Sequence, residues 1–265
     1  MALAKWRGKT ALVTGASAGI GEHIARELAS AGVDLVVTAR REDRLRALAE
    51  ELSSEHGVEA RFVAADLGES SGVARILEFV RSEGVQVEVL VNNAGFGGAG
   101  EFNGSLLEKQ LGMVQVNISS LVALTHGLLP GMIARGSGSV LLVGSVNAFM
   151  PVPYFAVYSA TKAFVRSFGE ALAVECRGTG VSVTALHPGA TATEFMEVAD
   201  MKVGRLIEVG FMKPSAVAKV GLVASHAGRV SVVSGFMNKL AVFALWLMPQ
   251  RIVRNVVKLI FKRLS

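Results

Sequence analysis

Short runs of β-branched and aliphatic residues recur along this chain with helical stretches between them, and that alternation restricts the fold more than any other feature. The expected strands are Thr10–Thr14, Asp34–Ala39, Ala60–Ala64, Val87–Val91, Ser139–Gly144, Ser182–His187 and Val230–Ser234. Helical stretches begin near Gly19, Arg41, Glu69, Leu106, Ser119, Tyr154 and Pro214. Strands that are nearly all apolar must be covered on both faces, which calls for a parallel sheet between two layers of helices. With right-handed crossovers this gives an α/β, doubly wound (Rossmann), mostly parallel seven-stranded sheet, with ligands at the carboxyl ends of its strands. Hydrophobic residues make up 51% of the chain and aromatic ones only 6%, so the core is expected to be aliphatic. Residues 1–238 read as a single domain, and 239–265 as its C-terminal helical extension.

The first strand runs into Thr14-Gly15-Ala16-Ser17-Ala18-Gly19-Ile20-Gly21, where the first helix opens. Glycines there allow a tight turn and close approach to a pyrophosphate, whose charge the helix N-terminus stabilises. The second strand ends Thr38-Ala39-Arg40-Arg41. An adenosine ribose with a free 2′-hydroxyl calls for an acidic residue at that point. Ala39 instead leaves room and Arg40 offers a charged fork to a 2′-phosphate, which favours NADP(H). Arg41 is read as the start of the next helix.

Tyr158 and Lys162 are four residues apart, so on a helix they share a face, and Ser145 lies thirteen residues upstream. A lysine charge is expected to lower the tyrosine pKa from its ordinary value of roughly 10 toward a working range. Ser145 is suited to holding the oxygen of a reacting carbonyl or alcohol. The three together can move a proton to or from a carbon-bound oxygen while a cofactor moves hydride.

These segments resemble the classical short-chain dehydrogenase/reductase family over residues 7–235. The matching residues are Thr14 to Gly21, Asp66-Leu67, Asn92-Asn93-Ala94-Gly95, Asn117, Ser145, Tyr158 with Lys162, and Pro188-Gly189 with Thr193. The resemblance implies catalytic roles for Asn117, Ser145, Tyr158 and Lys162. The implied cofactor contacts are Gly15, Ser17, Ala18, Gly19, Ile20, Gly21, Arg40, Asp66, Leu67, Asn93, Ala94, Gly95, Tyr158, Lys162, Pro188, Gly189, Thr191 and Thr193. Asp66 would bond the adenine amino group, and the carbonyl of Asn117 would hold a water in a proton relay to Lys162. Pro188 and Gly189 would flank the nicotinamide, with Thr193 on its carboxamide. No metal site is expected.

The implied activity is NADP(H)-dependent interconversion of a carbonyl and a secondary alcohol, with a lipophilic ketone such as a 3-oxoacyl compound as the favoured substrate. Small or steroid-like carbonyls would use the same residues. A non-catalytic nucleotide-sensing scaffold and a membrane-surface scaffold are the alternatives from other classes, and neither accounts for an intact catalytic set. Thr191 to Phe211 is long for a connection and rich in Phe195, Met196, Met201, Ile207 and Phe211. It is expected to form a lid.

Where many members end in Val-Asp-Gly-Gly, this chain reads Ser234-Gly235-Phe236-Met237-Asn238 and continues. The tail resembles that of reductases related to long-chain ketoacyl and hydroxysteroid enzymes, so a homodimer is expected at least as much as the usual homotetramer. On a helix, Gln250 to Leu264 places Arg251, Arg254, Lys258 and Lys262 on one arc. Ile252, Val253, Val256, Val257, Ile260 and Leu264 occupy the other. Such a helix packs on its own domain or a partner subunit, or meets an anionic membrane surface or an acidic carrier protein.

No Asp or Glu follows Glu208, whereas nine Lys and Arg do, so the net charge of +5 belongs to the tail and not to the body. Without a reader motif this charge does not indicate nucleic acid. The single cysteine, Cys176, precludes an internal disulfide and fits a reducing compartment. The start of the chain shows no secretory pattern, and the apolar run Leu240–Met248 falls short of the roughly 20 residues of a bilayer span. A cytoplasmic location is therefore expected, with peripheral membrane association through the tail left open.

Overall fold

The computed structural model describes residues 3–195, 199 and 211–261. Seven parallel strands form one sheet in the order β3-β2-β1-β4-β5-β6-β7. They are β1 (Thr10–Thr14), β2 (Asp34–Ala39), β3 (Ala60–Ala64), β4 (Val87–Asn92), β5 (Gly138–Val143), β6 (Val181–His187) and β7 (Ser231–Val233). The first three coincide with the sequence reading, and the other four differ by one residue at one or both ends. Between them run α1 (Gly19–Ser30), α2 (Glu42–His56), α3 (Ser70–Ser82), α4 (Leu107–Val114), α5 (Ser120–Arg135), α6 (Ala156–Glu175) and α7 (Pro214–His226). The tail adds α8 (Phe236–Leu247) and α9 (Gln250–Phe261).

Neighbouring residues of each strand serve opposite layers, as the two-residue period of a strand requires. Ala11 and Val13 of β1 join Ile24, Leu28, Leu45, Leu186 and Leu222 in one buried cluster. Leu12, between them, joins Ile76, Leu90, Leu124, Leu142 and Val165 in the other. Strand order reverses between β1 and β4, and the crevice at their carboxyl ends is where a doubly wound sheet receives a ligand.

Residues 107–135 form a continuous helical run, with a π-helical turn at Gln115–Ser119 joining α4 to α5. By length and composition alone this run, Leu107–Arg135, meets the test for a bilayer span, with a third of its most apolar window buried. Its inner face belongs to the core through Leu121, Leu124 and Met132. Its polar side chains tie into the fold, Thr125 receiving a hydrogen bond from Asn92 and Ser120 donating to the Leu67 carbonyl. It is a flanking helix of the sheet.

The tail docks on the body. Val253 and Val257 of α9 are buried in a third cluster with Met113, Val152, Phe155 and Tyr158, against which Leu245 and Met248 also pack. The apolar arc expected of the last helix is therefore divided, because Ile252 and Val256 of the same arc stay exposed. Lys262 and Leu264 lie outside the described residues. Of the expected lid, Phe195 and Phe211 are described, and Met196, Met201 and Ile207 lie outside the described residues. Its ends are tied by the backbone bonds Ala192 N–H to Met212 O (3.1 Å) and Met212 N–H to Ala190 O (2.9 Å).

Candidate active site

The loops after β1 and β4 are stapled across the crevice. Thr14 Oγ1 accepts the N–H groups of Asn93 and Ala94, each at 3.0 Å, and Asn93 Nδ2 donates to the Thr14 carbonyl at 2.9 Å. Gly15 has φ +66°, and a Cβ there would fall 2.9 Å from Ala94 Cα. At Gly21 a Cβ would stand 2.4 Å from both the Gly15 carbonyl oxygen and Asn93 Nδ2, so this glycine lets helix α1 close against its own turn. The Glu22 N–H is the first in α1 directed to the Ala18 carbonyl, at 3.5 Å. The amide groups ahead of it have no intrahelical acceptor and sit at the positive end of the helix dipole. A phosphate fits this cradle.

Beside it, Arg41 occupies the N-cap of α2 and turns back over the glycine loop. Its Nε and Nη2 donate to Ser17 Oγ at 3.2 and 3.1 Å. Its Nη1 donates to Glu194 Oε2 at 2.8 Å, and Arg44 Nη1 donates to Oε1 of the same carboxylate at 2.7 Å. Hydrogen bonds from Arg44 and then Arg41 hold the Glu194 carboxyl below the usual carboxylate range. Arg40, the guanidinium expected from sequence, borders the same cavity. Arg41, which sequence marks only as the start of the next helix, borders this cavity too; the available signal was its position next to a strand end that lacks any acidic residue.

At the other end lie the expected catalytic groups. Ser145 follows β5, caps a 3₁₀ turn at Val146–Phe149 and accepts the Asn147 N–H at 3.1 Å. Tyr158, in the first turn of α6, lies beside Ser145, whose hydroxyl favours the phenolate. Its ring meets Phe155 edge-on at 5.9 Å and Phe195 at 5.3 Å. One turn on, Lys162 Nζ lies 5.8 Å from the centre of the tyrosine ring and donates to the Val143 carbonyl at 2.9 Å.

Burial outweighs every favourable contact to the phenolate, so the Tyr158 hydroxyl is pushed up to about 12, with the Ser145 hydrogen bond opposing. This corrects the expected lowering by Lys162, because the enclosed, ring-lined site disfavours the charged phenolate. Burial likewise lowers Lys162, to about 8. His187, buried at the end of β6 with Phe149 edge-on at 4.9 Å, is lowered to about 4, first by burial and then by Arg166. It is neutral at ordinary pH.

One cavity of about 470 Å³ joins the two ends, within the range of roughly 300–1,000 Å³ common for small-molecule sites. Its walls include Gly15, Ser17, Ala18, Gly19, Ile20, Arg40, Asn93, Ala94, Gly95, Ser145, Tyr158, Lys162, Pro188, Gly189, Thr191 and Thr193. Phe96, Met150, Phe155, Phe195 and Phe211 make the part around Tyr158 apolar.

Four expected residues stand back from these walls. Gly21 packs beneath the turn, while Asp66 Oδ1 accepts the Gly68 N–H at 2.8 Å and the Leu67 carbonyl accepts from Ser120. Asn117, in the π turn, accepts the Phe96 N–H at 3.1 Å and donates to the Phe96 carbonyl and Thr161 Oγ1, each at 3.0 Å. It thereby joins the loop after β4 to the helix that carries Tyr158 and Lys162.

A sequence model of the short chain dehydrogenase family matches residues 9–203. A short chain dehydrogenase of Pseudocercospora fijiensis is 40% identical over 190 residues, 71% of this chain, and the match spans 61% of that relative. The very-long-chain 3-oxoacyl-CoA reductase of Anas platyrhynchos is 33% identical over 227 residues, 83% of this chain and 72% of the relative. Among solved structures, a short-chain dehydrogenase from Sphingobium yanoikuyae in complex with NADPH superposes with a TM-score of 0.81. It is 32% identical, with 91% of this chain and 94% of that one covered. Fold, glycine cradle and extent of similarity agree: the chain belongs to the short chain dehydrogenase family.

Proposed function

We propose that this chain uses NADP(H) to interconvert a carbonyl and a secondary alcohol, and that it reduces a lipophilic ketone such as a 3-oxoacyl compound. The observation that carries the reading is a buried Ser145–Tyr158–Lys162 set where the glycine-lined half of the cavity meets its apolar half. When bound, the cofactor supplies hydride to the carbonyl carbon. Tyr158, neutral because burial raises its pKa, donates its proton to the carbonyl oxygen. The Ser145 hydroxyl steadies that oxygen as negative charge develops. Lys162, charged below about pH 8, stabilises the phenolate left behind. Asn117 keeps the loop and the catalytic helix in register.

Arg41, with Arg40 beside it, supports the choice of a 2′-phosphate cofactor, as does the NADPH held by the Sphingobium protein. Replacing Arg41 by Ala removes a charge-assisted contact and should raise the KM for NADPH by about 10- to 100-fold while leaving that for NADH nearly unchanged. Steady-state kinetics with both cofactors checks this. Equal loss with the two would remove Arg41 from the phosphate site.

The aromatic and methionine lining around Tyr158 supports a lipophilic substrate, as does similarity to the very-long-chain 3-oxoacyl-CoA reductase. NADPH consumption with 3-oxoacyl thioesters of increasing length tests it. kcat/KM should rise by about threefold or more per added pair of methylenes until the apolar region is filled. A flat series would refute the preference for long chains. Exposed Ile133 of α5 and Phe164 and Val174 of α6 support self-association as a homodimer or homotetramer.

A further inference from the structure

We infer that the outer face of the two C-terminal helices is a docking surface for an anionic lipid bilayer, independent of the carbonyl chemistry. Helix α8 is apolar except for Asn238 and the exposed Lys239. Its Asn238, Val242 and Leu245 turn inward, with Asn238 donating to the Ser234 carbonyl at 2.8 Å and standing against Gly189. On the opposite side Phe236, Leu240, Phe243 and Leu247 fall within about 60° of one another on a helical projection, and all are exposed. Trp246 is 79% exposed beside them. Helix α9 divides into three faces: Val253 and Val257 are buried on the body, Ile252, Val256 and Leu259 are exposed and apolar, and Arg251, Arg254 and Lys258 are exposed and basic. The inward anchoring fixes both helices to the domain, so the outer apolar side chains are presented and not merely loose.

Charge and polarity select the occupant. From Phe236 to the end the chain has six Lys and Arg and no Asp or Glu. A second copy of this face would bring basic residues against basic residues with no acid in either tail to pair them. A protein interface of ordinary kind carries about one hydrogen bond per 100–200 Å². The α8 stripe, built of Phe and Leu with the Trp246 indole and the exposed Lys239 ammonium at its edge, offers few such groups and one more basic one. Apolar and aromatic side chains that enter the acyl boundary, flanked by basic ones at the headgroups, describe an interfacial helix.

The two tryptophans supply the test. Trp6 is 2% exposed, so a change in emission on adding vesicles reports Trp246. The full chain should show a blue-shifted emission and co-float with phosphatidylcholine vesicles containing phosphatidylglycerol. Binding should be at least tenfold weaker to pure phosphatidylcholine or in high salt. Phe243→Glu with Leu247→Glu should lower binding at least tenfold, and Arg251→Glu with Arg254→Glu should abolish the preference for phosphatidylglycerol. Unchanged far-UV circular dichroism and thermal midpoint in these surface variants would show that folding is intact. No flotation of the wild type overturns the proposal, as does undiminished binding of the Phe243/Leu247 variant. A wild-type dimer that ignores vesicles and is split by that variant overturns it in favour of a second copy.

Discussion

Tyr158→Phe should leave a folded protein that still binds NADPH and reduces its ketone about 10²- to 10⁴-fold more slowly, the usual contribution of a positioned proton donor. The substitution keeps the ring that packs on Phe155 and Phe195 and deletes only the hydroxyl. That hydroxyl faces the cavity beside Ser145, so the cost to stability is at most one hydrogen bond, about 1 kcal/mol. The glycine cradle and Arg41 do not touch the phenol, so affinity for NADPH should stay within about threefold. Single-turnover reduction under saturating NADPH, together with cofactor titration by fluorescence, separates the two effects. A variant retaining a tenth or more of wild-type turnover would place the proton donor elsewhere.

The parts of this site that were legible in the sequence are those fixed by local chain chemistry. Gly15 and Gly19 after β1 and the four-residue spacing of Tyr158 and Lys162 follow from turn and helix geometry, and the structure places them along one cavity. Strand ends of β4 to β7 differ by one residue because hydrogen bonding to a neighbour, and not composition, terminates a strand. Sequence marks Arg41 only as the start of the next helix, because its side-chain direction depends on an extended N-cap (φ −85°, ψ 94°) and on Glu194, which is 153 residues away. The direction of the Tyr158 pKa was misread for a related reason. Proximity to Lys162 is visible in spacing, whereas enclosure by Phe195 and Phe155 is a tertiary property, and desolvation was the larger effect. The last helix shows the same limit. Its two arcs were evident from periodicity, but which apolar residues meet the body and which face outward was decided by the third cluster around Met113 and Tyr158.

Lys162 should set the alkaline limit of reduction. Its ammonium, buried and bonded to the Val143 carbonyl, titrates at about 8. The Tyr158 hydroxyl, at about 12, is too high to produce a limb there. kcat/KM for NADPH reports the free enzyme, so it should fall about tenfold per pH unit above pH 8. In Lys162→Arg the guanidinium stays charged, and the limb should vanish from a slower reaction; a limb that persists at pH 8 would belong to another group. Stability offers a second reading with the opposite trend. The lysine is charged up to its ordinary pKa of 10.5 when unfolded but only up to about 8 when folded. Between those values the unfolded chain binds more protons, so the folded state gains stability as pH rises. The penalty for burying the charge is thus fully present below pH 8 and relieved by pH 10.5. Measured against Lys162→Met by urea unfolding, wild-type stability should increase by roughly 3 kcal/mol across that window. A difference between the two proteins that does not change with pH would mean that Lys162 keeps its charge in the folded state, and the alkaline limb would then need another owner.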